Sequence, residues 1–219
     1  MNSDKNRTLT AEEAKRNEQF EKHKAELEAE GYKEVDLTTS VVRANVMAIV
    51  LAIPFILIFG VIYFLVNQVT FIQFWDQLTI GREIYWLAIY IVGFFALIII
   101  HELIHGVARA IFAKSGWKAI QFGFIKKYLT PYCVCTEPLT RFGYLFGALM
   151  PGILLGFIPC IVSIIIGNAF VFSVGIMMIL AAGGDLYSSF KLITFRTKGK
   201  KAIYIDHPYL VGLAAFVKE

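Results

Sequence analysis

His101, Glu102 and His105 form the pattern H-E-x-x-H within the stretch IVGFFALIIIHELIHGVARAIFAKSG. Residues four apart on a helix share a face, so both imidazoles can reach one metal ion. The glutamate between them is placed to take a proton from a water that the ion activates. The setting sharpens the pattern. Seventeen residues from Ile84 to Ile100 carry no charge before the motif begins, and ionisable groups inside a bilayer are expensive unless paired or functional. The competing assignment is a buried polar cluster that only stabilises a helix bundle.

A catalytic zinc takes three protein ligands and leaves a fourth position to water, so two histidines are not enough. The remaining histidines, His23 and His207, lie in polar flanking regions, whereas Asp185 in AAGGDLYSSF is a carboxylate embedded in another apolar run. Counted from the outer membrane face, His101 is seventeen residues past Ile84 and Asp185 sixteen past Ala169. At 1.5 Å per residue both are roughly 24–26 Å down, at one level nearer the cytoplasm. Gly183 and Gly184 would let that helix approach closely. His101, His105 and Asp185 make a coherent ligand set for Zn2+, with Glu102 as the catalytic base. Arg109, one turn beyond His105, could steady an oxyanion or a substrate terminus; the alternative is an arginine snorkelling to the interface. Glu137, in CTEPL, is a further substrate-side candidate, against a plain surface role. Cys133 and Cys135 form a C-x-C that supplies too few ligands for a structural zinc site, and they read more simply as small residues packed in a strand.

These residues need long apolar helices to hold them. The chain has 219 residues, 57% hydrophobic and only 17% charged, with four apolar blocks near the roughly 20 residues that a membrane-spanning helix requires. The expected fold is an all-α polytopic membrane protein with four transmembrane helices, at about 44–67, 84–113, 143–167 and 169–191. WKAIQFGFI and YLTPYCVCTEPL, separated by Lys126–Lys127, alternate in part and predict a small β-hairpin at about 117–137 between the second and third spans. Two G-x-x-x-G spacings in the third span, Gly143/Gly147 and Gly152/Gly156, permit close helix contact.

The domain plan follows. Residues 1–40 form a polar N-terminal helical segment, opened by the Thr10/Glu13 capping-box pattern and closed near Gly31. With so few apolar residues the helix is expected to be mostly solvated, and no cleaved leader is expected. Residues 41–193 are the membrane-embedded core, and 194–219 a tail with one candidate strand at AIYI. Eight Lys/Arg precede the first span, Arg82 alone lies between the first and second, five flank the segment from Lys114 to Arg141, and six lie from Lys191, at the end of the fourth, onward. The positive-inside rule therefore puts both termini and the Lys114–Arg141 segment in the cytoplasm. The net charge of +4 is accounted for by this topology, with no nucleic-acid partner.

HELIHG on one span with an aspartate on a later one resembles the site-2 protease type of intramembrane zinc metalloprotease. From about Gly31 to the tail, the lead-in EGYKEVDL, HELIHG, the hairpin and GGD are similar to bacterial membrane proteins grouped as putative zincin peptidases. Asp185 is followed by Leu186 where the site-2 protease pattern has glycine, and no PDZ-like domain is expected. The resemblance implies a zinc-dependent metallopeptidase in the bacterial cell membrane, cleaving a membrane protein or peptide substrate within or beside the lipid bilayer. A hairpin beside the metal could pair with an extended substrate by strand addition. The alternative is a non-proteolytic metal-binding membrane protein, or a small transporter or proton relay using the same His/Glu/Asp cluster.

Overall fold

The computed structural model describes residues 8–76, 83–125 and 130–219. The lysine pair expected to turn the hairpin, Lys126–Lys127, lies outside the described residues, as do Arg82 and residues 1–7. Helix α1 (Ala11–Ala29) starts on the anticipated capping box, in which the Thr10 side chain accepts from Glu13 N and the Glu13 carboxylate from Thr10 N. It is less solvated than its composition suggests. Arg16, Phe20 and Leu27, spaced to share one stripe, are buried, and Phe20 and Leu27 pack on Ile205, Ala214 and Phe216.

Those three residues belong to a sheet that joins the two polar ends of the chain. Strands β1 (Tyr32–Asp36), β4 (Ala202–Asp206) and β5 (Leu213–Lys218) pair antiparallel in the order β1-β5-β4. The register sets Asp36 opposite Ala214 and Asp206 opposite Leu213. Only β4 had a sequence signal. Leu213–Phe216 of central β5 are all buried, with α1 on one face and a second core on the other, so β5 lacks the alternation that marks a half-buried strand. In that second core Leu213 and Ala215 meet Cys133, Cys135, Leu139, Tyr144 and Leu192. The lead-in and the tail thus form one layer against the end of the helical part.

The helical part contains α2 (Val41–Val66), α3 (Gln68–Asp76) and α4 (Glu83–Ala110). A continuous rod follows, made of α5 (Arg141–Pro151), a π-helical segment (Gly152–Phe157) and α6 (Ile158–Ile166). Helices α7 (Ala169–Ala181) and α8 (Gly183–Thr194) complete it. Val41–Val66, Leu87–Ala110 and Arg141–Ile166 are long and apolar enough to cross a membrane. They leave residues such as Ile49, Leu57, Phe95 and Val107 exposed, the surface a protein shows when its solvent is lipid.

The fourth block differs from the uninterrupted span expected over 169–191. It is two helices bent by 49° at Ala182, giving three candidate spans, or four if the bent pair is one. The bend occurs where α8 meets α2. A Cβ on Gly183 would lie 2.6 Å from the Ala48 carbonyl oxygen, so the backbones touch there. Gly184 has open space instead, and it opens a cavity rather than a helix contact. The G-x-x-x-G pairs face different neighbours: Gly143 lies against Phe112, just past the end of α4, Gly147 against Arg109 of α4, and Gly152 and Gly156 against Ala182 and Ile179. Strands β2 (Ile120–Ile125) and β3 (Thr130–Cys135) pair antiparallel between the second and third apolar blocks.

Candidate metal centre

Near the C-terminal end of α4, His101 and His105 are buried, 6% and 4% exposed, with their Nε2 atoms 3.2 Å apart. Two imidazole lone pairs at that distance repel unless a cation or a proton lies between them. The turn into α8 brings Asp185 to both: Oδ2 is 3.1 Å from His101 Nε2 and Oδ1 3.2 Å from His105 Nε2. Ligand atoms at tetrahedral positions about 2.0–2.1 Å from zinc would be about 3.3 Å from one another, so the spacing of these donors fits a single ion.

A second contact sets the direction of one ring. His105 Nδ1 is 2.7 Å from the Gly147 carbonyl oxygen, which can only accept; Nδ1 therefore carries the proton and Nε2 is turned to the cluster as a donor pair. An outer hydrogen bond of this kind is the usual support of a metal-binding histidine. Gly147 sits against the Arg109 stem, where a Cβ would be 2.4 Å from Cγ. His101 departs from the pattern, since its Nδ1 is buried without a hydrogen-bond partner among the described residues.

Two carboxylates compete for the third ligand position. Ligand atoms of Glu102 and the two histidines all lie within 4.8 Å of one another, but Asp185 touches both Nε2 atoms directly. Asp185 therefore fits as the ligand. Glu102, half-buried beside the pair, is left with a free proton-accepting group.

Arg109 has a third fate, neither free nor snorkelling. It is buried, and its Nη1 donates to Asp206 Oδ2 and to the Cys133 carbonyl, both at 2.8 Å. Asp206 accepts two more bonds, from Tyr144 Oη at 2.5 Å and Cys135 N at 2.9 Å. This carboxylate of β4 pins α4, α5 and β3 together one turn from His105. Nothing in AIYID marks it in advance, because its partners are brought together only by the sheet. Glu137 is apart from the cluster and accepts from Ser115 N at 2.9 Å. Partial burial pushes its carboxyl up, but the hydrogen bonds from Ser115 and Lys114 prevail and hold it below its ordinary value. Burial pushes the Cys133 thiol up to about 12 and Cys135 to about 11, and both side chains pack in the core that Leu139, Tyr144 and Leu192 share. His23 pairs with Glu26 on α1, and His207 Nδ1 accepts from Leu210 N at 3.1 Å in its own loop.

A cavity of about 300 Å3 opens on this centre. The motif residues and Asp185 form one wall, Pro131–Cys133 of β3 another, and the segments around Leu37–Thr39 and Val211–Leu213 the side toward the sheet. These last two segments are joined by Leu37 N to Leu213 O and Thr39 N to Val211 O hydrogen bonds, 3.0 and 2.9 Å long.

Residues 94–199, just under half of the chain, match the model of a family described as "putative zincin peptidase". The matched region holds His101, Glu102, His105, the hairpin and Asp185, and it stops short of Asp206. It supports zincin-peptidase kinship and, with the His-Glu-His cluster, a zinc metallopeptidase. No curated protein and no solved structure matches the chain.

Proposed function

We propose that this protein is an intramembrane zinc metallopeptidase of the site-2 protease kind, hydrolysing peptide bonds of membrane-associated substrates. The observation that carries the reading is the approach of Asp185 to both motif histidines at 3.1 and 3.2 Å. Zinc held by His101, His105 and Asp185 would supply Lewis acidity and bring a water toward ionisation near neutral pH. Glu102 takes one proton from that water as its oxygen bonds to the substrate carbonyl carbon. It then delivers the proton to the amide nitrogen as the C–N bond breaks. The Gly147 carbonyl keeps the His105 ring oriented throughout.

The hairpin is suited to hold the substrate extended. The Thr136 N to Ala119 O bond fixes the alternation of the ladder, so Pro131, Cys133 and Cys135 direct their backbone groups away from β2. Arg109 and Asp206 already use Cys133 O and Cys135 N. The Cys133 N–H and the Pro131 carbonyl are left on the cavity edge to pair with an incoming strand. A helical substrate hides these groups in its own bonds, so pairing and unwinding go together.

In keeping with the resemblance, the protein is a multi-pass protein of the bacterial cell membrane, and the distribution of Lys and Arg supports both termini, and hence the three-stranded sheet, in the cytoplasm. A relay or transporter gains no support from the cavity, where the titratable groups are gathered about one centre rather than strung along a path. The test is metal content together with cleavage. Purified protein should carry about one zinc per chain, and chelation should abolish cleavage of membrane peptides in a way that added zinc restores. Metal-free protein that still cleaves would overturn the reading.

A further inference from the structure

On the proteolytic reading, the cavity must also select which peptide lies across the metal, and one of its groups has chemistry the mechanism leaves unused. Gly184, Tyr187, Ser188 and Lys191 of α8 all line the cavity, at the i, i+3, i+4, i+7 spacing of a single helix face. Lys191 is half-buried at the far end of that face. Its ammonium donates to the Leu37 and Thr38 carbonyls and lies 5.8 Å from the centre of the Tyr187 ring. Two carbonyls engage two of its three N–H bonds. Among the described residues no carboxylate forms an ion pair with it. The cavity's other cation, Arg109, is neutralised by Asp206. Lys191 is therefore a cavity cation that, among the described residues, has no carboxylate paired with it.

We propose that Lys191 is a substrate-recognition subsite for a carboxylate. Lys191 stands six residues beyond Asp185, about 9 Å along the helix axis. An extended peptide advances about 3.3 Å per residue, so the recognised carboxylate belongs about three residues from the cleaved bond, on one side of it. An acidic side chain and a free chain terminus offer the same group.

The inference rests on the protease reading but is tested apart from it. Zinc-loaded protein is given blocked peptides with Glu or Gln at each position around a cleaved bond, and a matching set with free or amidated C-termini. The same peptides, fluorescently labelled, are titrated against the Glu102→Gln protein. Glu should outperform Gln by about tenfold in kcat/KM and in binding at one position about three residues away. In Lys191→Gln that ratio should fall to one, and in Lys191→Arg it should persist. An advantage confined to free C-termini assigns the subsite to a chain terminus. Equal use of Glu and Gln at every position, or a preference that survives Lys191→Gln, overturns the subsite. The wild-type peptide series needs no variant to fold. Absence of any cleavage overturns the protease reading, while the binding ratio still decides the subsite.

Discussion

Asp185 reaches both histidines of HELIH, with Oδ2 at 3.1 Å from His101 Nε2 and Oδ1 at 3.2 Å from His105 Nε2. A carboxylate in an apolar helix would be a liability without such partners. On the proposed reading, replacing it removes a metal ligand and leaves two imidazoles facing each other. Asp185→Ala should retain less than a tenth of the wild-type zinc, measured by elemental analysis of purified protein, and lose cleavage in parallel. Full zinc occupancy in Asp185→Ala would pass the third ligand position to Glu102.

The ion pair between Arg109 and Asp206 is buried, with side chains 7% and 10% exposed. Removing one partner of such a pair leaves an uncompensated charge and costs about 3–5 kcal/mol. Asp206→Ala should therefore destabilise by about that much in denaturant unfolding, although it lies outside the region that matches the family. Arg109→Met with Asp206→Leu should recover much of the loss while still failing to hold the β3 edge, so stability and cleavage should separate. Recovery of both in the double variant would remove the hairpin from the mechanism.

Adjacent glycines at the start of α8 should respond in opposite ways. Gly183→Ala drives a methyl against the α2 backbone at Ala48, an overpacking worth about 1–3 kcal/mol. Gly184→Ala meets nothing within 4 Å and gains up to about 1 kcal/mol of helix propensity. Thermal unfolding of the two variants side by side checks the bend at Ala182; equal effects would mean that α8 does not rest on α2.

Burial raises the Cys133 and Cys135 thiols from 9.0 to about 12 and about 11. The folded protein thus holds protons that the unfolded chain releases. This contribution is complete below about pH 9 and is lost as pH rises through 11 and 12, by up to roughly 1.4 kcal/mol per pH unit for each thiol. Unfolding measured between pH 8 and 10.5 should show stability falling, with a shallower slope in Cys133→Ala/Cys135→Ala. Equal slopes would mean that the thiols are not buried.

The His/Glu/Asp cluster was legible because these residue types are conspicuous in apolar runs, and helical spacing sets the two histidines on one face. The sheet was not. Leu213–Phe216 reads as apolar without alternation, because α1 covers one face and Leu139, Tyr144 and Leu192 the other. The bend at Ala182 was hidden for the opposite reason: AAGGD continues an apolar run, and only contact with α2 breaks it. Arg109 was identifiable as unusual, but its partner comes from β4, and no local pattern links the two. No local pattern sets Lys191 apart from the other basic residues near the end of the last span, and only the folded face of α8 brings it to the cavity.

The side of the membrane on which the sheet lies can be read with reporter fusions. Fusions after Asn168 should report the exterior and those at Glu219 the cytoplasm. A cytoplasmic signal from Asn168 would overturn the proposed topology and move His101 and Asp185 together to the outer half of the bilayer.

The central claim is that Glu102 moves the proton during hydrolysis, and the most direct measurement compares Glu102→Gln with wild type on one verified membrane-peptide substrate while zinc content is followed in both. Glutamine keeps the shape of glutamate but cannot accept the proton of water. The account predicts about one zinc per chain in both proteins, unchanged folding, and cleavage lower in Glu102→Gln by a factor on the order of 10² to 10⁴. Cleavage by Glu102→Gln at the wild-type rate, with zinc still bound, would contradict it.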